Sequence, residues 1–332
     1  MRALVTGGCG FIGSNLVHKL VEDGWIVDVV DDLSNGDVGL FSNLSIRTIA
    51  SFLVDGYDRE NDPRKPDVVI IVDDFVCDGV VSNIINQKYD YIFHMAALPR
   101  VEYSVQNPIQ TNETNSSKTL KLMTHCLGNI KRFIFSSSCA VYGDAQYQPT
   151  PENEEKNPES PYALQKLHVE QYAKLYNKLY DLDVVSLRYF NVYGPGQYGD
   201  SPYATAIAAW CDKINSKNPL RSDGDGTQSR DLVYVDDVVG ANIAVALREE
   251  KFNGECYNIG SGYAFPNNFI LDIFCKKFPE AEIVSAPRRP GDVMSTLGDI
   301  VAAKEAFGYN PQTTLMTGLK QTWSWWGFYD KK

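Results

Sequence analysis

Apolar and polar positions alternate in blocks through the first half of the chain, short β-branched runs giving way to stretches with helical spacing. Strands are predicted over Ala3 to Thr6, Ile26 to Asp31, Val68 to Asp73, Tyr91 to Met95 and Arg132 to Phe135. Helices are predicted between them, over Asn15 to Glu22, Gly79 to Asn86 and Thr111 to Leu127. Such alternation predicts an α/β fold with a doubly wound, Rossmann-like parallel sheet and helices on both faces. Between Ser34 and Pro66 the pattern lapses into Asn, Asp, Gly, Arg and Pro around an apolar patch at Ile49 to Val54, and it reads as a surface insertion without a predicted element. At 332 residues the chain exceeds what one core of roughly 250–300 residues supports, so two lobes are expected.

Charge narrows the partners. A net charge of −11 and a pI of about 4.9 leave no basic surface for a nucleic-acid backbone, and no Lys- or Arg-rich run is present. The start lacks a charged-then-apolar leader, and no apolar run reaches the ~20 residues of a membrane span, so a cytoplasmic protein is expected. The 7 cysteines are odd in number, scattered and without metal-ligand spacing; they are expected to be reduced thiols, and no metal is expected.

The chemistry begins at Leu4 to Leu16, where a short apolar run meets Gly7, Gly8, Gly10 and Gly13 and then helix-forming residues. Strand, glycine turn and helix N-terminus together suit a pyrophosphate, because side chains would hold it away from the backbone N–H groups. The second strand ends in Asp31 and Asp32, about 20 residues on, where an acid binds a ribose diol and repels a 2′-phosphate, favouring NAD over NADP. Asp74 and Phe75 follow another strand end, where the carboxylate could reach an adenine or simply be a solvated loop acid. Small residues close the strand at His94-Met95-Ala96-Ala97, leaving room for a cofactor against the backbone. The run Ser136-Ser137-Ser138 ends a central strand where such folds bind ligands. Ser160 and Pro161 open a helix on which Tyr162 and Lys166, four apart, share a face. A tyrosine is a poor base at neutral pH, but a neighbouring ammonium favours the phenolate, so the two form an acid–base pair, with plain surface neighbours as the alternative.

In this order the glycine turn, His94-Met95-Ala96-Ala97, the serine run ending in Val141-Tyr142-Gly143-Asp144, and the Tyr162/Lys166 pair resemble the extended short-chain dehydrogenases/reductases, over almost the whole chain. Within that family the chain is most similar to nucleotide-sugar 4-epimerases of the UDP-galactose/UDP-N-acetylglucosamine type. Further matches are Leu187 to Pro195, Gly224 to Asp231, Tyr257 to Gly260 and Arg289 to Asp292.

The resemblance implies NAD held by Gly7, Gly10, Phe11, Ile12, Gly13, Asp31, Asp32, Leu33, Asn35, Gly36, Asp74, Phe75, Met95, Ala96, Ala97, Asn115, Tyr162, Lys166 and Tyr189. It implies catalysis by Tyr162, Lys166 and Ser138: Tyr162 takes the proton of the sugar 4-hydroxyl, Ser138 holds that oxygen, and Lys166 grips the nicotinamide ribose. It implies a UDP-sugar bound by Ser138, Tyr162, Asn191, Arg230, Arg289, Asp292 and Thr296, with forked guanidiniums suiting the diphosphate. Residues 1–188, with 233–259 returning, are then the NAD-binding Rossmann domain, and 189–232 with 260–332 the smaller mixed α/β substrate-binding lobe.

Departures from the family pattern sharpen this. Where its dehydratases carry an Asp and a Glu after the catalytic hydroxyl residue, this chain has Cys139 and Ala140, which argues against elimination and, at Ala140, against decarboxylation. Thr296 stands at the substrate-size gate where glucose-restricted members carry tyrosine, leaving room for an N-acetyl group; simple packing is the alternative. Asp223, where many relatives place an aromatic beside uracil, could instead accept N–H donors from a base. An NAD-dependent oxidoreductase that releases reduced cofactor, an epimerase of another sugar nucleotide, and a non-catalytic dinucleotide sensor are the other readings. The Trp323, Trp325 and Trp326 cluster reads as a docked C-terminal helix, with a sugar-stacking platform as the alternative. Leu167, Tyr172, Leu175, Tyr176, Leu179 and Tyr180 make the helix after Tyr162 apolar over more than one face; with the Thr111 to Leu127 helix this resembles the family's four-helix dimer contact, and a homodimer is expected.

Overall fold

The computed structural model describes residues 1–54, 56–57, 59, 61–99, 101–199, 205–288 and 293–329. The chain divides into two units, Met1–Ser137 with Ser160–Leu187 and Val239–Tyr257, and Ser138–Glu159 with Arg188–Val238 and Asn258–Lys332.

In the first unit short apolar strands alternate with helices that bury one stripe. The order runs β1 (Arg2–Thr6), α1 (Phe11–Glu22), β2 (Ile26–Asp31), β3 (Ile46–Ala50), β4 (Val68–Val72), α2 (Asp78–Ile85), β5 (Tyr91–His94), α3 (Val101–Gln106), α4 (Pro108–Asn112), α5 (Thr119–Cys126), β6 (Arg132–Ser138), α6 (Pro161–Tyr180) and β7 (Val184–Tyr189). Later α8 (Val235–Leu247) and β11 (Asn253–Ile259) lead the chain back. The strands form one eight-stranded sheet, ordered β11-β7-β6-β5-β1-β2-β4-β3, parallel at every pairing from β6 to β3. Order reverses on either side of β1, the arrangement that opens a crevice at the carboxyl ends of the strands.

Two differences from the pattern reading stand out. The stretch from Ser34 to Pro66 contains an edge strand: β3 pairs in parallel with β4 from Ile46↔Val68 to Ala50↔Val72. Only Ile49 of its five residues is buried, and a strand with a single core residue shows no alternation. The loop beyond it is tied to the sheet by Arg59, whose Nη1 donates to Val27 O (2.9 Å) and Asp28 Oδ1 (2.7 Å). The predicted helix from Thr111 to Leu127 is instead α4, a π-helical turn over Glu113–Lys118, and α5. Widened turns of this kind are frequent at functional sites, and this one carries buried Asn115.

The second unit holds β8 (Asn191–Tyr193), α7 (Ala206–Asn215), β9 (Leu220–Asp223), β10 (Ser229–Tyr234), β12 (Ala264–Pro266), α9 (Asn267–Lys277), β13 (Ile283–Ala286), α10 (Val301–Phe307) and α11 (Leu315–Trp325). Its sheets are β12-β10-β8 and the parallel pair β13-β9. Two buried polar knots hold it. Asp231 accepts Ser261 N (2.7 Å) and Gly298 N (3.1 Å). Asn258 donates to Thr150 O (2.9 Å) and Asp299 O (3.0 Å) and accepts from the Tyr142 hydroxyl (2.6 Å), which takes the Arg188 guanidinium (2.8 Å). Removing one member would strand buried partners, the costly case for hydrogen bonds. On α11 Trp323 is buried, edge-on to Phe274 and Phe278, while Trp325 is partly exposed. All 7 cysteines are free thiols. Among the described residues, no helix is long and apolar enough to cross a membrane.

Candidate active site

The glycine turn packs backbone on backbone. Gly7 has φ +66°, and a Cβ there would lie 2.7 Å from Ala96 Cα; a Cβ on Gly13 would lie 2.3 Å from Gly7 O. Gly10 opens α1 with no side-chain cap, and the first turn carries no acid. The positive helix end therefore remains open to an anion, with Phe11, Ile12 and Gly13 forming its first turn.

The two acids at the end of β2 differ in their surroundings. Asp31 is buried and accepts the N–H groups of Cys9 and Leu33, both at 2.9 Å, so it braces the glycine turn. Burial raises its pKa while those two donors oppose the rise. A Cβ on Gly36 would meet Asp31 Oδ1 at 2.7 Å, so the next turn closes over the same carboxylate. Asp32 is exposed, accepts Ser34 N (2.9 Å), and lines a cavity of about 770 Å³ together with Ser34, Leu98 and Lys118; Asn35 is exposed beside it. Lys118 donates to Asp74 Oδ2, and Asp74 Oδ1 takes Val76 N (3.0 Å). Phe75 is buried, edge-on to His94 at 4.9 Å. An open helix N-terminus, a glycine cradle that any Cβ would fill and an exposed acid beside a cavity fit an adenine dinucleotide.

His94, Thr6, Thr119 and Asn115 form a buried chain behind this surface. Thr119 Oγ1 donates to Asn115 O (3.1 Å), so at its 2.8 Å contact with His94 Nε2 it accepts. That assigns the Nε2–H tautomer and makes Nδ1 the acceptor of the Thr6 hydroxyl (2.7 Å), whose oxygen takes Ala96 N (3.2 Å). Asn115 continues the chain, accepting Leu98 N (2.7 Å) and donating to Leu98 O (3.0 Å) and Gln165 Oε1 (2.9 Å). Ala96 and Leu98 are thus held from both sides, and Ala97 between them.

Tyr162 and Lys166, the expected acid–base pair, lie on α6, capped by Ser160, whose hydroxyl accepts Ala163 N (3.2 Å), with Pro161 at its first turn. Tyr162 N donates to Ser104 Oγ (3.1 Å). Lys166 is buried: its Nζ donates to Ser136 O (2.7 Å) and lies 4.7 Å from the Phe135 ring centroid and 5.9 Å from that of Tyr162. Burial pulls the Lys166 ammonium down to about 7, and the Glu170 carboxylate works against that fall. The serine run does not present three hydroxyls to one crevice. Ser136 Oγ donates to Met95 Sδ (2.6 Å), and Ser137 Oγ donates to buried Glu170 Oε1 (2.5 Å). Glu170, Gln165 and Lys118 escaped the motif reading; the one signal for Glu170 is an acid four residues beyond Lys166 on the face that packs inward.

In the second unit Ser138 Oγ accepts Ala140 N (3.2 Å), capping the short turn Cys139–Tyr142. Burial pushes the Cys139 thiol up to about 12. Tyr189 is buried. Asn191 Nδ2 donates to Thr296 Oγ1 (3.0 Å) and Asp231 O (3.2 Å), so two of the expected substrate residues contact each other. Arg230 Nη1 donates to Ser229 O (2.8 Å), and Asp223 accepts Arg221 Nε (2.6 Å). Arg289 and Asp292 lie outside the described residues.

A profile of the NAD dependent epimerase/dehydratase family matches residues 3–260. A putative UDP-glucose 4-epimerase of Methanocaldococcus jannaschii is 35% identical over 328 residues, 97% of each chain. A solved UDP-N-acetylglucosamine 4-epimerase from Methanobrevibacter ruminantium, in complex with UDP-N-acetylmuramic acid, superposes with a TM-score of 0.85 at 35% identity, covering 100% of this chain and 99% of that one. A UDP-glucose 4-epimerase from Thermotoga maritima, with UDP-glucose, gives 0.86 at 33% identity over 100% of both.

Proposed function

The chain belongs to the NAD dependent epimerase/dehydratase family, and from that premise we propose that it inverts C4 of a UDP-hexose through a 4-keto intermediate, accepting UDP-N-acetylglucosamine and UDP-N-acetylgalactosamine as well as or instead of UDP-glucose and UDP-galactose. The observation that carries the reading is the Lys166 ammonium fastened to Ser136 O (2.7 Å) one helical turn beyond Tyr162. A fixed ammonium favours the phenolate and readies Tyr162 to take the proton of the sugar 4-hydroxyl and to return it after the sugar turns over. When bound, NAD supplies a reversible hydride acceptor at C4. Ser138 holds the reacting oxygen, Asn191, Arg230 and Arg289 grip the nucleotide diphosphate, and Asp32 takes the adenosine ribose. A thiol at Cys139 that burial keeps protonated, and a methyl at Ala140, supply no acid–base pair for elimination.

Support for a homodimer comes from α6, where Leu164 (57%), Leu175 (44%), Leu179 (57%) and Tyr180 (54%) are exposed on one long helix. Helix α6 together with α5 would form the contact, and sedimentation of Leu175→Glu against the unaltered chain tests it.

The deciding experiment is proton NMR of the purified protein with UDP-glucose, UDP-N-acetylglucosamine and UDP-glucuronate, without added cofactor. The C4 epimer of an N-acetylated or plain hexose is the expected product. Accumulation of reduced cofactor with an oxidised sugar would favour the oxidoreductase reading, and Tyr162→Phe is expected to keep its fold and NAD while losing about 10²–10⁴-fold in turnover.

A further inference from the structure

The acid four residues beyond Lys166 has no part in the reaction as proposed, yet it is buried at the inner face of α6. Adjacent residues at the end of β6 hold both members of the pair: Ser136 O accepts the Lys166 ammonium (2.7 Å), and Ser137 Oγ donates to Glu170 Oε1 (2.5 Å). A carboxylate is costly to bury unless it serves a hydrogen bond or a charge, and Glu170 has both within one helical turn. Among the described residues, the other titratable groups facing Lys166 are Tyr162 on its own helix and His94 on β5. His94 is neutral, its pKa lowered to about 3 by burial and then by the Lys166 charge. Phe135 presents only its ring. Among the described residues, Glu170 is the carboxylate whose charge acts on this buried ammonium.

We propose that Glu170 is a positioning residue that favours the protonated form of Lys166 near neutral pH, with Ser137 holding its carboxylate, so that the end of β6 biases the charge state of the acid–base pair. The inference rests on the epimerase reading for its consequence, but not for its geometry. Without that charge the ammonium loses its proton at lower pH, and Tyr162 in turn loses the field that favours its phenolate.

Glu170→Gln tests this, since the amide keeps the volume and an acceptor for Ser137. The Lys166 side chain is followed through its ε-carbon NMR signal in 13C-lysine protein, assigned with Lys166→Arg, and Tyr162 through the phenolate ultraviolet difference between each protein and its Tyr162→Phe counterpart. In Glu170→Gln the Lys166 midpoint should fall by about one pH unit, the phenolate should require a higher pH, and kcat at pH 7 should fall roughly tenfold with KM for the sugar nucleotide unchanged. Glu170→Asp, which withdraws the carboxylate by one methylene, should show the same shift at smaller size, and it decides the matter should the glutamine variant not fold. A folded variant with an unmoved Lys166 midpoint overturns the proposal. Full turnover in Tyr162→Phe overturns the epimerase chemistry instead and leaves the Lys166 midpoint to judge Glu170.

Discussion

His94 offers a titration that can be worked from its surroundings. Burial first, and the Lys166 ammonium second, lower its pKa to about 3 from the ordinary 6.5. In the unfolded chain the imidazole takes a proton as pH falls through 6.5; in the folded chain it does not until about 3. Across that window the unfolded state binds more protons, so acid destabilises the fold through this group with a slope that approaches about 1.4 kcal/mol per pH unit, or about 1.6 kcal/mol between pH 6.5 and 5. His94→Gln removes the titration. It also disturbs the contacts to Thr6 (2.7 Å) and Thr119 (2.8 Å), at about 1 kcal/mol each. That cost is independent of pH and displaces the curve without tilting it. The assay is urea unfolding from pH 7 to 5, comparing slopes, with 15N-histidine NMR of the folded protein beside it. The unaltered chain should lose about 2 kcal/mol more than the variant over that interval, and the His94 signals should stay in the Nε2–H pattern throughout. Parallel stability curves, or a His94 signal that titrates near pH 6.5, would refute the reasoning.

Two further outcomes follow from contacts already described. Gly13→Ala puts a methyl 2.3 Å from Gly7 O and 2.8 Å from Gly8 Cα. Backbone cannot step aside cheaply, so a loss of about 1–3 kcal/mol and of co-purified NAD is expected by thermal melting and by assay of cofactor released on denaturation; unchanged NAD content would show that the turn does not cradle the pyrophosphate. Thr296→Tyr displaces the Asn191 Nδ2 contact (3.0 Å) and fills the space beside it. Turnover of N-acetylated substrates should fall about tenfold or more relative to UDP-glucose, and equal losses on both would remove Thr296 from any role in sugar choice.

What the amino-acid sequence determined by itself is whatever depends on neighbours a few positions apart. The strand, glycine turn and helix from Arg2 to Glu22, the cap and proline that open α6, and the Tyr162/Lys166 spacing on it are all local, and periodicity and backbone chemistry suffice to read them. The family was legible for the same reason, because its motifs are short runs in a set order. Tertiary structure alone decided which of two adjacent acids braces the turn, since Asp31 is claimed by Cys9 N, 22 positions away. It made an edge strand of Ile46–Ala50, whose single buried residue carries no pattern of its own and whose partner is β4. It also turned His94 from a member of a small-residue motif into a neutral link between Thr6, 88 positions away, and Thr119, 25 away. Ser137 reaches Glu170 across 33 positions, and Asn191 reaches Thr296 across 105. Hydrogen bonds between such distant residues leave no periodic trace in the chain, because each partner alone is an ordinary polar residue and only the packed sheet and helices bring the two within reach.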